Sequence, residues 1–523
     1  MTRLDAPEID RSPEQAESGD DPRRPGNSGW IGLAGGATLF AILVASNFDL
    51  LRTRIFEDGD FAANSILIDK AFTGPLLHGN YSRVGFYHPG PAILDAQALG
   101  QLVFHRLLGV VPMPFNGQFL GILALNAVCV GIAIAIGARL LDSQIGALSL
   151  VPIVLLINWW IPYGLASTWM PHTYICPFLL LCVSGAAVAS GSWHDLRYLM
   201  FAAGVTVHGH VSFVLFAGAT VVVALVAAWL ESRRADRRGE SVGSFPKKEF
   251  VWGAVVGGLF AAPIVADVVV HWPGQLKKYV KFTSNKTGFV PRSAADVAHF
   301  VRQYWMPTGW GLLPGLVIAV SITIAVTLTL RGPGPRRFAI AALGICALET
   351  ILVAFYGYRG VDDLSQIYVG YFAVSLPVIT LWLGAASIID TMARRFSRCS
   401  VLALPVVALL FVPPVLEGTF ANPYRGFSAA GRLSRDMGRG PVQIEFSADG
   451  WPSALALIEE RRREDRPVCV ANPVWSILVT APLLCRTSSP GPLIAVLGPG
   501  DPIPPRSKPL AAAGTTKLVT LAR

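Results

Sequence analysis

Charge is what this sequence has least of. Of 523 residues, 15% are Asp, Glu, Lys or Arg and 52% are hydrophobic, with a mean hydropathy of +0.50. Soluble domains carry about 25% charged residues, so a soluble globular protein is excluded. Phosphate-cradling loops are also missing. There is no Walker sequence and no GxGxxG after a strand-like run, which argues against ATP-driven transport by this chain alone. The seven cysteines include no CxxC pair, so no cysteine metal site is indicated. No internal repeat of the kind found in many transporters is visible. The first 27 residues lack an apolar core, so they read as a disordered cytoplasmic tail and not as a cleavable signal peptide. The net charge of +9 does not point to nucleic acid, because the basic residues cluster between apolar runs, where they set membrane orientation.

Long apolar runs are what remains. GWIGLAGGATLFAILVASNF and FVWGAVVGGLFAAPIVADVVV exceed the roughly 18 residues that mark a transmembrane helix. The pattern predicts a mainly α, polytopic helix bundle with about eleven spans near 29–48, 90–109, 117–138, 144–165, 171–190, 198–230, 250–271, 309–330, 338–356, 367–389 and 400–416. The second span carries Asp95, Gln97, Gln101 and His105, so it is expected to face the protein interior. The 198–230 span is too long for one crossing and contains His208-Gly209-His210; it reads as a broken helix or two short ones. Arginine and lysine mark the loops 231–249, RGPGPRRF and ARRFSR as cytoplasmic. The loops 49–89, 272–308 and 357–366 then lie outside with everything after 417. Loop 272–308 is itself basic, but long loops weigh less in this rule. The same count puts WMPHTY, Trp169 to Tyr174, on the inner side, in conflict with a role beside the outer loops.

The residues divide into a tail (1–27), a transmembrane domain (28–416) and a small extracytoplasmic α/β domain (417–523). In the last, VQIEF, RPVCVAN, PLIAVLG and KLVTLA read as strands, and DGWPSALALIEERRRED as a helix with Asp449 as its N-cap. Cys129, Cys176, Cys182 and Cys346 lie in apolar runs as small core residues. Cys399 borders a basic loop. Cys469 and Cys485 are either a disulfide or two buried thiols.

The first outer loop, 49–90, concentrates the chemistry. Glu57, Asp58 and Asp60 fall within FEDGDFAAN. FAANSILIDKAF follows, too short and polar to span, and is expected to lie in the interface with Phe61, Ile68 and Phe72 toward lipid. GNYSRVGFYHPGP then returns to the membrane as a defined loop, with Pro91 in the first turn of the next helix. A carboxylate here can take a proton from a hydroxyl, and Arg83 or His88 can hold a phosphate. Asp60 and Asp58 are the candidate bases. Glu57 reads as a solvated helix end. Tyr81, Arg83 and His88 are candidate substrate ligands, as is Arg359 in YGYRGVDDLSQIY, unless Asp362 and Asp363 merely pair with it. The histidines of HGH are either intramembrane functional groups or helix–helix hydrogen bonders.

Asp60 followed 28 residues later by His88-Pro-Gly-Pro resembles a two-part motif of the GT-C superfamily of membrane glycosyltransferases. In its protein mannosyltransferases and lipid A aminoarabinose transferases, an Asp opening DExxYxxxA precedes a Lys or His followed by PPL. Here Phe61 stands for the Glu, Asn64 for the Tyr, and HPGP for HPPL. YSRxGxxHPGP also resembles uncharacterised bacterial members of the superfamily. The match covers the loop and the general plan of many helices with an outer C-terminal domain. The resemblance implies an inverting enzyme in the bacterial plasma membrane. It would move a sugar from a polyprenyl-phosphate donor to an envelope glycan, lipid or protein, with Asp60 as base and no required cofactor. Asp58-Gly59-Asp60 also spells DxD, which binds a divalent cation in some members of the superfamily. Two other classes stay open: a transporter or flippase of a lipid-linked substrate, and a non-catalytic scaffold in envelope assembly.

Overall fold

The computed structural model describes residues 28–141, 143–237, 246–284, 292–306, 313–328, 332–395 and 420–522. The expectations for the 1–27 tail, the 400–416 span and Cys399 lie outside the described residues. The chain is mainly helical. Among the described residues, seven helices are long and apolar enough to cross a membrane: Ser28–Ser46, Pro114–Leu140, Met170–Ala189, Phe213–Arg234, Lys247–Val270, Pro333–Arg359 and Ile367–Ala393. Two shorter apolar helices, Gln144–Trp160 and Leu313–Ala325, accompany them.

Close packing in the bundle depends on small residues. Helix Ser28–Ser46 lies against Pro114–Leu140 through Gly32, Gly36 and Gly131. A Cβ on Gly32 would stand 2.5 Å from the Gly131 carbonyl oxygen.

Two of the expected spans differ from expectation. Residues 90–109 do not cross. They form helix Ala92–Gly100 and a wider π turn, Gln101–Leu107, and both ends lie at the same end of the bundle. Ala92 N–H donates to His208 Nδ1 at 3.2 Å. At the other end His105 Nδ1 bonds the Val111 carbonyl at 3.1 Å, just before Asn116 donates to Leu50 O at 2.8 Å. Gln97 and Gln101 are buried as expected, but Asp95 is exposed. The 198–230 stretch makes two passes and not one. Helix Leu196–Gly209 starts after Asp195, which is ion-paired to Arg139 at the opposite end, and finishes just past His208. His210 is extended, and helix Phe213–Arg237 runs back. One crossing too many and one too few cancel further along the chain. Between the two errors, however, every loop was assigned to the wrong end. Trp169 to Tyr174 therefore shares an end with loop 49–90. The loops around Gln275 and Asp362 are also at this end, where they bond Tyr87 and Arg83. Arg337 and Glu231, 3.2 Å apart, mark the other end.

The stretch expected to lie against lipid is instead interior. Helix Gly59–Lys70 is buried from Ala62 through Ile68. It is sandwiched between the bundle and the C-terminal domain, where Ala62, Ala63 and Ile66 share a core with Leu455 and Ile458. Ile68 is fully buried in the bundle core. Phe61 packs on Phe115 and Tyr424, and Phe72 lies under the Arg106 guanidinium. Glu57 is no solvated end: it is 1% exposed and bidentate to Arg463 of the C-terminal domain, with one contact at 2.8 Å.

The C-terminal domain is a five-stranded sheet: β1 (Val442–Phe446), β2 (Val468–Val470), β3 (Leu493–Leu497), β4 (Lys508–Ala513) and β5 (Thr516–Leu521), in the order β2-β1-β3-β5-β4. The first three strands are mutually parallel, and β5 runs antiparallel to β3 and β4. β4 was not expected, because KPLAAA has weak strand propensity. Helix Trp451–Arg463 begins after Gly450, so Asp449 is not its N-cap. Ser447 Oγ accepts from the Asp449 and Gly450 N–H groups at 3.1 Å. Cys469 and Cys485 form a disulfide, and Cys129, Cys176, Cys182 and Cys346 are buried thiols. The domain is tied to the first helix by Asn47. Asn47 donates to Phe420 O at 3.0 Å and accepts from Asn422 N at 2.8 Å.

Candidate functional site

Asp60 sits in the first turn of helix Gly59–Lys70, after Gly59 at φ +50°. Glycine adopts that left-handed backbone without steric cost, and the turn aims the carboxylate out of the helix. Tyr81 donates its hydroxyl to Asp60 Oδ1, and Trp169 donates Nε1–H to Oδ2 at 3.1 Å. Burial and the neighbouring carboxylate push the Tyr81 phenol far up, which keeps it a donor.

Two cavities share this carboxylate. The larger, about 680 Å³, is lined by Asp60, Asn64, Tyr81, Arg83, His88, Trp169, His210, Tyr356, Asp362 and Tyr368, with Phe213, Val214, Leu215 and Phe282 among its apolar residues. The smaller, about 420 Å³, lies under the C-terminal domain, between Asp58, Asp60, Tyr163, Trp169, His172, Tyr424 and Trp451.

The loop after helix Gly59–Lys70 is a short hairpin. Gly79 N–H donates to His88 O at 2.8 Å, His88 N–H to Asn80 O at 2.9 Å, and Ser82 N–H to Phe86 O at 2.7 Å. This pairing presents Tyr81, Arg83 and His88 to one space. Arg83 is bound to Asp362, with an Nη2–Oδ2 distance of 2.7 Å, and both side chains are about half exposed. His88 is 3% exposed, and burial holds its imidazole well below the usual range.

Of the residues singled out in the sequence, Asp60, Tyr81, Arg83 and His88 converge. Arg359 does not. It is exposed, and its guanidinium stands 4.9 Å from the Tyr358 ring, outside the cavity lining. Asp362 pairs with Arg83 and not with Arg359. Asp58 faces only the smaller cavity. Its Oδ1 accepts from Tyr424 at 2.8 Å, and burial is the main cause that raises its carboxyl above the usual range. Asp58 and Asp60 are thus each held by a different tyrosine. Hard dications take six or more oxygens. No group of three or more His, Cys, Asp or Glu side chains that could hold a metal ion occurs among the described residues.

WMPHTY and HGH contribute Trp169 and His210 to the lining. Tyr424 and Trp451 were missed, because nothing in the sequence links them to a loop more than 350 residues earlier. Neither a protein-family model nor a curated protein matches the chain.

Proposed function

We propose that this protein is an integral membrane glycosyltransferase of GT-C type, which moves a sugar from a polyprenyl-phosphate donor to a hydroxyl acceptor at the extracytoplasmic face. The observation that carries the reading is Asp60, a fixed carboxylate where a large, partly apolar cavity meets a smaller aromatic one. A lipid-linked donor suits the first and a hydroxyl acceptor suits the second. Asp60 takes the acceptor proton as the acceptor oxygen attacks the anomeric carbon. The carbon–oxygen bond to phosphate breaks, and the electron pair leaves with the polyprenyl phosphate. Attack from the side opposite the leaving group inverts the centre. Tyr81 and Trp169 orient the carboxylate. A glycan, lipid or protein acceptor satisfies this chemistry.

The test is transfer from a panel of radiolabelled polyprenyl-phosphate sugars by purified protein. Asp60→Asn is expected to reduce transfer by about 10²-fold or more, the range for a general base, and Asp58→Asn by much less. Transfer that survives Asp60→Asn removes the assigned role. The break between helices Leu196–Gly209 and Phe213–Arg237 favours transport as the second reading. Lipid flux without transfer by any donor would select it.

A further inference from the structure

The large cavity poses a charge problem. Its only lysine or arginine among the described residues is Arg83, and Asp362 already neutralises it. Asp60 adds a carboxylate. An anionic ligand must therefore be held mainly by neutral donors, and two histidines that the mechanism above does not use supply them.

The rings of His88 and His210 lie 4.2 Å apart, tilted by 37°. They come from separate elements: the hairpin and the break after Gly209. Each is tethered through Nδ1. The Val211 N–H points at His88 Nδ1 at 3.4 Å, and the Ser212 N–H at His210 Nδ1 at 3.2 Å. The Ser212 hydroxyl also lies 2.8 Å from the latter nitrogen. A nitrogen that accepts a hydrogen bond carries no proton, so in each neutral ring the proton sits on Nε2. Neither Nε2 has a hydrogen-bond partner among the described residues, and neither is sealed off as a buried unsatisfied atom. Both residues line the cavity.

We propose that His88 and His210 form a paired Nε2–H seat for the phosphate of a lipid phosphodiester, whose chain lies along the apolar wall at Phe213, Val214, Leu215 and Phe282. The seat works uncharged. A second proton would have to go onto Nδ1, where it would confront a backbone N–H. Burial also opposes it, holding His88 low and His210 at about 4. The other ionisable groups facing the pair are Asp60, Asp362, Arg83, Tyr81, Tyr174, Tyr356 and Tyr368. The ordinary ranges of carboxylates, guanidinium and phenols lie outside about pH 6 to 9. This inference rests on the lipid-phosphate reading of the large cavity but not on sugar transfer.

The probe is farnesyl methyl phosphate, a phosphodiester whose charge is constant over that range, with farnesol as the uncharged control. Binding is measured by calorimetry on full-length protein in lipid nanodiscs. Asparagine places its amide where Nδ1 stood and keeps the tether, but it has no far donor. Glutamine reaches the Nε2 position. His88→Asn and His210→Asn are each expected to weaken phosphodiester binding about tenfold or more, the scale of a hydrogen bond to a charged group. The Gln variants should lose less, farnesol binding should not change, and wild-type affinity should stay flat from about pH 6 to 9. The proposal is overturned if the Asn variants, folded by thermal midpoint, bind the phosphodiester like wild type. It is equally overturned if wild-type affinity falls steeply through that range, as an imidazolium seat would require. Probe binding that needs the pair, in a protein that transfers no sugar, leaves the seat standing and removes the glycosyltransferase reading. Transfer that persists while binding ignores both histidines does the reverse.

Discussion

Arg463→Met is the perturbation with the clearest expected size. Arg463 reaches from the C-terminal helix into a site where Glu57 and Glu459 are each 1% exposed. It is bidentate to Glu57, with one contact at 2.8 Å, and its Nε is 3.2 Å from Glu459. Burial works against its charge, but the two carboxylates outweigh this and push its guanidinium further up. Removing it leaves Glu57 without its hydrogen-bonded cation and Glu459 with only Arg462, at 2.8 Å. Breaking a buried pair from one side costs about 3–5 kcal/mol, because the remaining charge must be neutralised or hydrated. The substitution should lower stability by that amount, and Glu57→Gln should cost somewhat less, since it leaves no naked charge. The double variant should recover much of the loss, because removing both partners of a buried pair is often close to neutral. The assay is denaturant unfolding of the four proteins in one detergent, treated as a double-mutant cycle. If Arg463→Met lies within about 0.5 kcal/mol of wild type, the size of an ordinary surface change, the pair does not hold the domain to the helix.

The bundle topology predicts that cysteines placed at Thr73 and Val110, both exposed, label with an impermeant maleimide from one side, and a cysteine at Arg234 from the other. Labelling of Val110→Cys together with Arg234→Cys would restore a crossing at 90–109. The disulfide closes a loop with a sequence separation of 16, for which loop entropy gives about 3 kcal/mol. Cys485→Ser should therefore lower the unfolding midpoint, and alkylation of Cys469 in wild type without reductant would contradict the bond. His78 and His88 are held below the usual range, and His210 is held near 4. Below the ordinary value of about 6.5, the unfolded chain binds protons that the folded chain refuses. Stability should therefore fall as the pH drops from about 6.5 toward 4, and the thermal midpoint of His210→Asn should fall less over that window.

What could be read from the sequence followed from distance along the chain. Asp60, Tyr81, Arg83 and His88 lie within 29 residues, and their spacing alone brought them together. Glu57 was misread as solvated because its cation lies 406 positions away. Helix Gly59–Lys70 looked interfacial because the domain that covers its other face comes from the far end of the chain. Arg359 has the right charge in the right loop, but at the last turn of its helix it points past the cavity. Apolar length identified membrane helices but could not distinguish a crossing from Ala92–Leu107, which leaves at the end where it entered. His208-Gly209-His210 was visible as an anomaly. That it marks a turn, and that its second histidine meets His88, depends on packing.

The Asn47 tie fixes an order of events during synthesis. The first helix and its acidic loop leave the ribosome early, but Tyr424, Trp451 and Arg463, which enclose the smaller cavity and neutralise Glu57, follow more than 350 positions later. Until those residues have been delivered to the end of the bundle where Asn47 lies, Asp60 has one walled side and one open side. A chain stopped before residue 420 would contain every residue of the large cavity and still lack the second chamber. Closure of the site therefore waits for residues that are made after every residue lining the large cavity.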